Sequence, residues 1–265
     1  MSLCISKFKT SPTLFQKIEE IHTLAKKIEK EKKTTVLYHL TSLFEAYHYV
    51  FYVNFIDTIL QKRKGKIVDW GGFVGQVTIL LRSLGYDCDN AVLAYPSTKK
   101  DFERFEIPYV LIKNQKKLPY QENSVLAVIS SGVLEHVHEN NMTEEEALAE
   151  IYHILQPGGY FFCWNLPRKY SLVEWLARIH RTSCHTHLYT KRQVLALLRK
   201  QGFKVRYIGK NSGVLTIKGI RSILALFNPW TQFLLDYYIS KIPPFSWFSH
   251  HFTIIAQKPN CEKSL

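Results

Sequence analysis

From Lys66 to Pro167 the chain alternates short apolar runs with longer stretches of helical spacing, and this alternation limits its possible folds more than any other feature. "KIVDW" (66–70) is a buried run closed by a glycine pair, and "GQVTILLRSLG" (75–85) reads as a helix stopped at Gly85. Further strands are expected at "NAVLAY" (90–95), "IPYVLIK" (107–113), "VLAVISS" (125–131), "YFFCWN" (160–165), "FKVRYIG" (203–209) and "HFTIIAQK" (251–258). Helices are expected at 141–159, where Thr143 and Glu146 fit a capping box and Pro157-Gly158-Gly159 a stop, and at 190–202. Strands alternating with helices of this length predict an α/β fold, a doubly wound and mostly parallel sheet. The strands lack polar alternation, as expected when helices cover both faces.

The flanks differ in texture. Residues 11–34 and 36–62 read as helices, the first opened by Ser11-Pro12, and residues 1–65 form an N-terminal helical cap. The α/β domain takes residues 66–218 and 251–258. Residues 219–250 are an aromatic-rich helical insertion before the last strand, a lid, an interfacial element or core. Lys+Arg minus Asp+Glu is +6 over residues 1–66, −6 over 67–164 and +13 over 165–265. A basic end of this kind suits an anionic membrane surface, nucleic acid or an acidic substrate. The basic residues are scattered and no RNA-binding motif accompanies them, so nucleic acid ranks below a small molecule. The five cysteines have no metal-site spacing, and their odd number suggests a reduced, cytoplasmic chain. No metal site is expected. The N-terminal residues have no apolar core of a signal peptide. No uninterrupted apolar run is long enough for a membrane span; peripheral membrane contact stays open.

"KIVDWGGFVGQ" (66–76) places Asp69 before Gly71, Gly72 and Gly75. A first-strand loop in such a sheet sits where ligands bind. It lacks the Lys-Ser/Thr of a phosphate loop and the spacing of a dinucleotide fingerprint. A carboxylate there would repel a pyrophosphate and attract a cation. A tight structural turn and a cationic ligand both remain open on these residues alone.

Three further blocks, "LPYQENSVLAVISSGVLEHV" (118–137), "ILQPGGYFFCWNLP" (154–167) and "HTHLYTKRQVLALLRKQGFKV" (185–205), together with "VDWGGFVG", resemble class I S-adenosylmethionine-dependent methyltransferases. Within that class the chain is similar to the ubiquinone/menaquinone-biosynthesis-type small-molecule enzymes. The resemblance implies a seven-stranded sheet with its last strand antiparallel, and S-adenosylmethionine as cofactor. It implies that Asp69, Gly71, Gly72 and Gly75 line the methionine half of the cofactor, with Ser131 and Gly132 nearby. The family's ribose-binding acid at the end of the second strand is replaced near Ala94-Tyr95, leaving Tyr95 at that place. Asn114 stands where an aspartate often faces the adenine.

Methyl transfer needs chiefly an aligned acceptor and, for oxygen or nitrogen, a base. His136, with Glu135 beside it, is the first candidate, and His187, with His185, the second. Trp164, Asn165 and Trp230 are candidate walls of an acceptor pocket. The expected function is methylation of a small-molecule or lipid-like acceptor, on oxygen. An RNA methyltransferase and a non-catalytic methyltransferase-like interaction module are the alternatives.

Overall fold

The computed structural model describes residues 11–180, 185–211 and 226–260. The first ten residues, residues 212–225 at the junction of the α/β domain and the insertion, and three of the cysteines lie outside these. Cys88 and Cys163 are buried free thiols.

Three helices precede the sheet: α1 (Pro12–Lys32), α2 (Tyr38–Thr41) and α3 (Leu43–Leu60). Pro12 fills the first helical position of α1, where its missing N–H costs nothing. Leu14, Ile18, Ile21, Ala25 and Ile28 form its single buried stripe. The second predicted helix is broken in two, because Ser42 is extended (φ −107°, ψ 119°). α3 is buried on nearly all sides, since it packs between α1, the helix after the first strand, and a helix of the insertion. The aromatic rings of α3 are therefore core.

The strands are β1 (Lys66–Trp70), β2 (Asp87–Val92), β3 (Tyr109–Leu111), β4 (Val125–Ser131), β5 (Leu155–Pro167), β6 (Lys204–Asn211) and β7 (His251–Gln257). They form one sheet of order β3-β2-β1-β4-β5-β7-β6. β7 runs antiparallel to both neighbours, and the other pairings are parallel. Between them stand α4 (Gln76–Ser83), α5 (Glu144–Ile154), α6 (Leu172–Ile179), α7 (Lys191–Lys200) and α8 (Pro229–Ile239). The chain reverses direction across the sheet between β1 and β4, and ligands of such sheets bind beyond the strand ends at that point.

Two boundaries differ from expectation. β2 begins and ends three residues early, because Lys66 of β1 bonds Asp87 (2.8 Å) and Asp89 (3.0 Å) and fixes the register at its first turn of pairing. The helix expected to run to Gly159 stops at Ile154, and Pro157-Gly158-Gly159 belong to β5. Gln156 precedes a proline and is thereby biased to extended backbone. The capping box of Thr143 and Glu146 forms as expected.

The helices α1–α4 and one face of the sheet share a single apolar cluster, which also takes in Phe233 and Tyr237 of α8. A second cluster on the other face joins α5 and α7 to the sheet. Trp164, expected in an acceptor pocket, is fully buried and stacked on Tyr52 with ring centroids 4.4 Å apart. Trp230 packs edge-on against Phe15 (5.0 Å) and Tyr47 (5.6 Å). Both tryptophans belong to the packing of the helical layer.

Candidate active site

A cavity of about 530 Å³ opens at the end of β1 and β4, within the range of small-molecule sites. Its floor is Asp69, the glycine loop and the first residues of α4, and one wall is Ser131, Gly132, Glu135, His136 and Asn165. α2 and α3 supply a roof of Tyr38, His39, Glu45, His48 and Tyr49. His185, His250 and His251 close the remaining side.

The loop from Gly71 to Gly75 is shaped by its backbone. Gly71 has φ +69°, and a Cβ there would sit 2.6 Å from a Val133 methyl; Gly75, with φ +80°, is the N-cap of α4. Both conformations are costly for other residues. Phe73 stands where a further glycine would be expected and still adopts φ +50°. Asn90 holds it there by donating from Nδ2 to the Phe73 carbonyl (3.0 Å). Asn90 on β2 lies in register beside Asp69.

Asp69 is fully buried. Its Oδ2 accepts from the Thr78 N–H (3.2 Å) and the Thr78 hydroxyl (2.9 Å), tying the end of β1 to α4. Its Oδ1 has no hydrogen-bond partner among the described residues. Burial pushes its carboxyl up to about 7, against the opposing pull of the Thr78 bonds. A buried carboxylate oxygen left without a donor in a cavity floor calls for one. Glu135, also buried, is pushed up to about 7 by desolvation. His39 in the roof is held down to about 4 by burial and is therefore neutral.

His136 is partly exposed at the cavity edge, its Nδ1 2.7 Å from Glu139 Oε1. The 3₁₀ turn Leu134–Asn140 carries Glu135, His136 and Glu139. Asn165 at the end of β5 has φ +58°, donates to the Ser131 hydroxyl (3.3 Å) and accepts from the Tyr52 hydroxyl (3.2 Å). The Tyr52 hydroxyl in turn takes a hydrogen bond from Asn211.

Asp69, Gly71, Gly72, Ser131, Gly132, Glu135, His136, His185 and Asn165 thus meet around one space. Gly75 supports it from the base of α4. Tyr95 and Asn114 stand apart from it: Tyr95 is exposed with Lys99 over its ring (3.5 Å), and Asn114 Oδ1 accepts from its own turn at Lys116 N–H (3.0 Å). His187 also lies outside the cavity lining, stacked on His138 with centroids 4.0 Å apart. Asp87 and Asp89 sit at the start of β2, paired with Lys66, at the far end of the strand from the glycine loop. The end of β2 therefore carries no carboxylate for a ribose. Reading by local motif missed His48, His250 and His251. They come from α3 and the start of β7, and only the sheet pairing of β7 with β5 brings the last two to the cavity.

The open sheet, its order and the reversed last strand define the class I methyltransferase fold. Residues 68–163 match the family model described as a methyltransferase domain. The chain carries a class I S-adenosylmethionine-dependent methyltransferase domain: it is a methyltransferase, and S-adenosylmethionine is its cofactor. Solved structures are similar in fold. A SAM-dependent methyltransferase from Archaeoglobus fulgidus aligns with 78% of this chain and 94% of its own, at 17% identity and TM-score 0.54. One from Methanosarcina mazei covers 77% and 97%, at 16% identity and TM-score 0.53. The Burkholderia thailandensis 1,6-didemethyltoxoflavin-N1-methyltransferase, solved with its substrate and S-adenosylhomocysteine, covers 78% and 76%, at 16% identity and TM-score 0.52. No curated protein matches the chain by sequence.

The cavity fits such a cofactor at one end. Asp69 offers a partnerless carboxylate oxygen to a cation, and the bare loop at Gly71 and Gly72 permits close approach. At the ribose end the usual carboxylate is missing.

Proposed function

We propose that the chain methylates a small, partly apolar acceptor on oxygen, with Asp69 facing the cationic half of the cofactor and His136 taking the acceptor's proton. S-adenosylmethionine, when bound, supplies a methyl carbon made electrophilic by positively charged sulfur. The residues of the chain do the rest. The partnerless oxygen of buried Asp69 is the single observation that carries the reading, since it accounts for a cation-binding floor with no phosphate clamp. Gly71 and Gly72 keep side chains out of the space above it. Asn165 and Ser131, linked to each other and to Tyr52, form a fixed polar edge that can orient the acceptor. Glu139 holds His136 in one ring orientation, so the other ring nitrogen is the one to receive a proton. The roof of α2 and α3 restricts water.

A cluster of exposed aromatic residues elsewhere on the chain supports a lipid-like acceptor. Arg168 donates to the Ser246 and Ser249 carbonyls and to that of Tyr170 (3.2 Å), which gathers Tyr170, Phe245 and Trp247 at one place. All three are exposed, Trp247 by 66%. The burial of an aromatic group from an acceptor or a bilayer would satisfy such a rim.

The test is transfer of label from methyl-labelled S-adenosylmethionine to a panel of phenols, catechols, amines and single-chain lipids. Label on the phenolic or lipid hydroxyl, and a fall of about 10²–10⁴-fold in kcat for His136→Ala with little change in cofactor affinity, is the expected result. Transfer to amines alone would overturn the assignment to oxygen. A His136→Ala variant with full kcat would remove that residue from the chemistry.

A further inference from the structure

We propose that His185, His250 and His251 form a binding site for a divalent cation of the zinc type at the acceptor end of the cavity. One ring nitrogen from each lies within 4.8 Å of the other two. They come from two separate segments, the loop before α7 and the entry to β7, yet all three line the same cavity. The rings of His250 and His251 are 4.1 Å apart at nearly a right angle, so their nitrogens converge while their planes do not stack.

The surroundings are those of a ligand set. Nδ1 of His250 and Nδ1 of His251 are buried with no hydrogen-bond partner among the described residues. Two adjacent partnerless imidazole nitrogens are costly in a folded interior, and a shared cation satisfies both. On its opposite edge, His250 Nε2 faces Glu174 Oε2 at 3.6 Å. Glu174 is 1% exposed and is held from α6 by Arg178 Nε at 3.1 Å. A carboxylate behind a histidine, on the nitrogen away from the metal, is the usual outer support of such ligands. Glu174 also supplies negative charge to balance a dication.

The donor set chooses among cations. Three imidazoles without a thiolate, and without a cage of carboxylate oxygens, suit zinc, cobalt, nickel or copper over magnesium or calcium. Zinc bonds imidazole at about 2.0–2.1 Å in a tetrahedron, which places ligand nitrogens about 3.3 Å apart. The present spacing, within 4.8 Å, would contract to that value on binding zinc. His185 is also within reach of Glu135 and His136, but His136 is already engaged by Glu139 (2.7 Å). The three-histidine set is therefore the better one, and it leaves a fourth position facing the cavity. On the methyltransferase reading above, that position is where an acceptor's oxygen, nitrogen or sulfur would bind and become more acidic.

The experiment titrates cobalt chloride into the full chain after chelator treatment and follows the visible ligand-field absorption of the metal. Zinc is then loaded and its coordination shell measured by X-ray absorption. One cobalt per chain with tetrahedral intensity, and a zinc shell of three imidazole nitrogens at about 2.0–2.1 Å, are expected. His251→Ala should weaken cobalt binding about 100-fold, and Glu174→Gln by about 10–100-fold. No stoichiometric uptake by the folded chain, or a shell dominated by sulfur or by oxygen alone, overturns the site. So does unaltered affinity in a folded His251→Ala variant; the wild-type X-ray shell decides the matter if that variant does not fold. Cofactor binding is measured separately: metal uptake without it would contradict the methyltransferase assignment and leave the metal site standing, and the reverse result would do the opposite.

Discussion

At the level of single residues, Asp69 does two things with its two oxygens. One fastens β1 to α4 through Thr78, and the other, buried without a hydrogen-bond partner among the described residues, is the one proposed to face a cation. Its raised folded-state value, about 7 against an ordinary 3.8, has a definite sign. The folded chain holds this proton more tightly than the unfolded chain does, so the Asp69 contribution to stability is greatest below about pH 4 and declines up to about pH 7. Denaturant titrations of wild type and Asp69→Asn across that window should converge at low pH, with wild type losing stability relative to the variant as pH rises. Cofactor affinity should move the opposite way. A cationic ligand binds the ionised carboxylate, so calorimetric affinity for S-adenosylmethionine should rise with pH through about 7, and Asp69→Asn should flatten that rise and weaken binding by roughly tenfold or more. Trp164 illustrates what the sequence hid at this scale. It stands at the end of β5, where acceptor pockets are lined, but Tyr52 of α3 covers it completely. Trp164→Ala should cost about 3–5 kcal/mol by denaturation and leave cofactor binding in the folded fraction nearly unchanged.

Elements were read from the chain with uneven success, for physical reasons. β6 at the edge is only partly covered and carries charged residues, whereas the apolar runs of β1, β4 and β7 survive as a signal because both faces of the sheet are covered there. Their ends were harder to place. The start of β2 is set by ion pairs of Asp87 and Asp89 with Lys66, a tertiary contact that no local pattern of the segment contains. The cavity wall that the resemblance assigns to the cofactor was legible because Asp69, Gly71, Gly72, Ser131 and Gly132 lie in two compact motifs at strand ends. The acceptor half was not, since His250 and His251 sit at the start of β7, long after the motifs, and reach the cavity only through antiparallel pairing. α3 was legible as a helix, and its many rings are accounted for by α1, α4 and α8, which pack around it. Helix ends can be tested directly. The capping box at Thr143 satisfies two otherwise orphaned donors of α5, and Thr143→Ala should lower stability by about 1 kcal/mol. Gly75→Ala, forced to φ +80° at the start of α4, should cost about 1–2 kcal/mol and weaken cofactor binding as well, because the same turn shapes the loop.

For the molecule as a whole, the uneven charge has a place to act. Arg168, Lys191, Lys210 and Lys241 line a second cavity of about 500 Å³ together with Tyr170, Tyr207 and Phe252. Burial lowers Lys241 to about 8. This basic, aromatic groove borders the exposed Phe245 and Trp247. No helix of the described residues is long and apolar enough to cross a membrane. The sequence left contact with an anionic lipid surface open, and this groove is where such contact can be tested. Vesicles containing phosphatidylserine should sediment with the full chain at low salt and release it at high salt, and Trp247→Ser should reduce the bound fraction several-fold. Equal binding to uncharged vesicles, or none to either, would remove this reading while leaving the catalytic cavity untouched. The central claim concerns that cavity: a cationic methyl donor is held over Asp69 by a loop that carries no side chains at Gly71 and Gly72. Crystals grown or soaked with S-adenosylhomocysteine test it most directly. The account predicts the amino-acid end of the ligand against Asp69, Gly71 and Gly132, with its sulfur directed toward His136 and the histidine cluster. Ligand bound elsewhere on the chain, or a cavity that stays empty at saturating concentration, would contradict it.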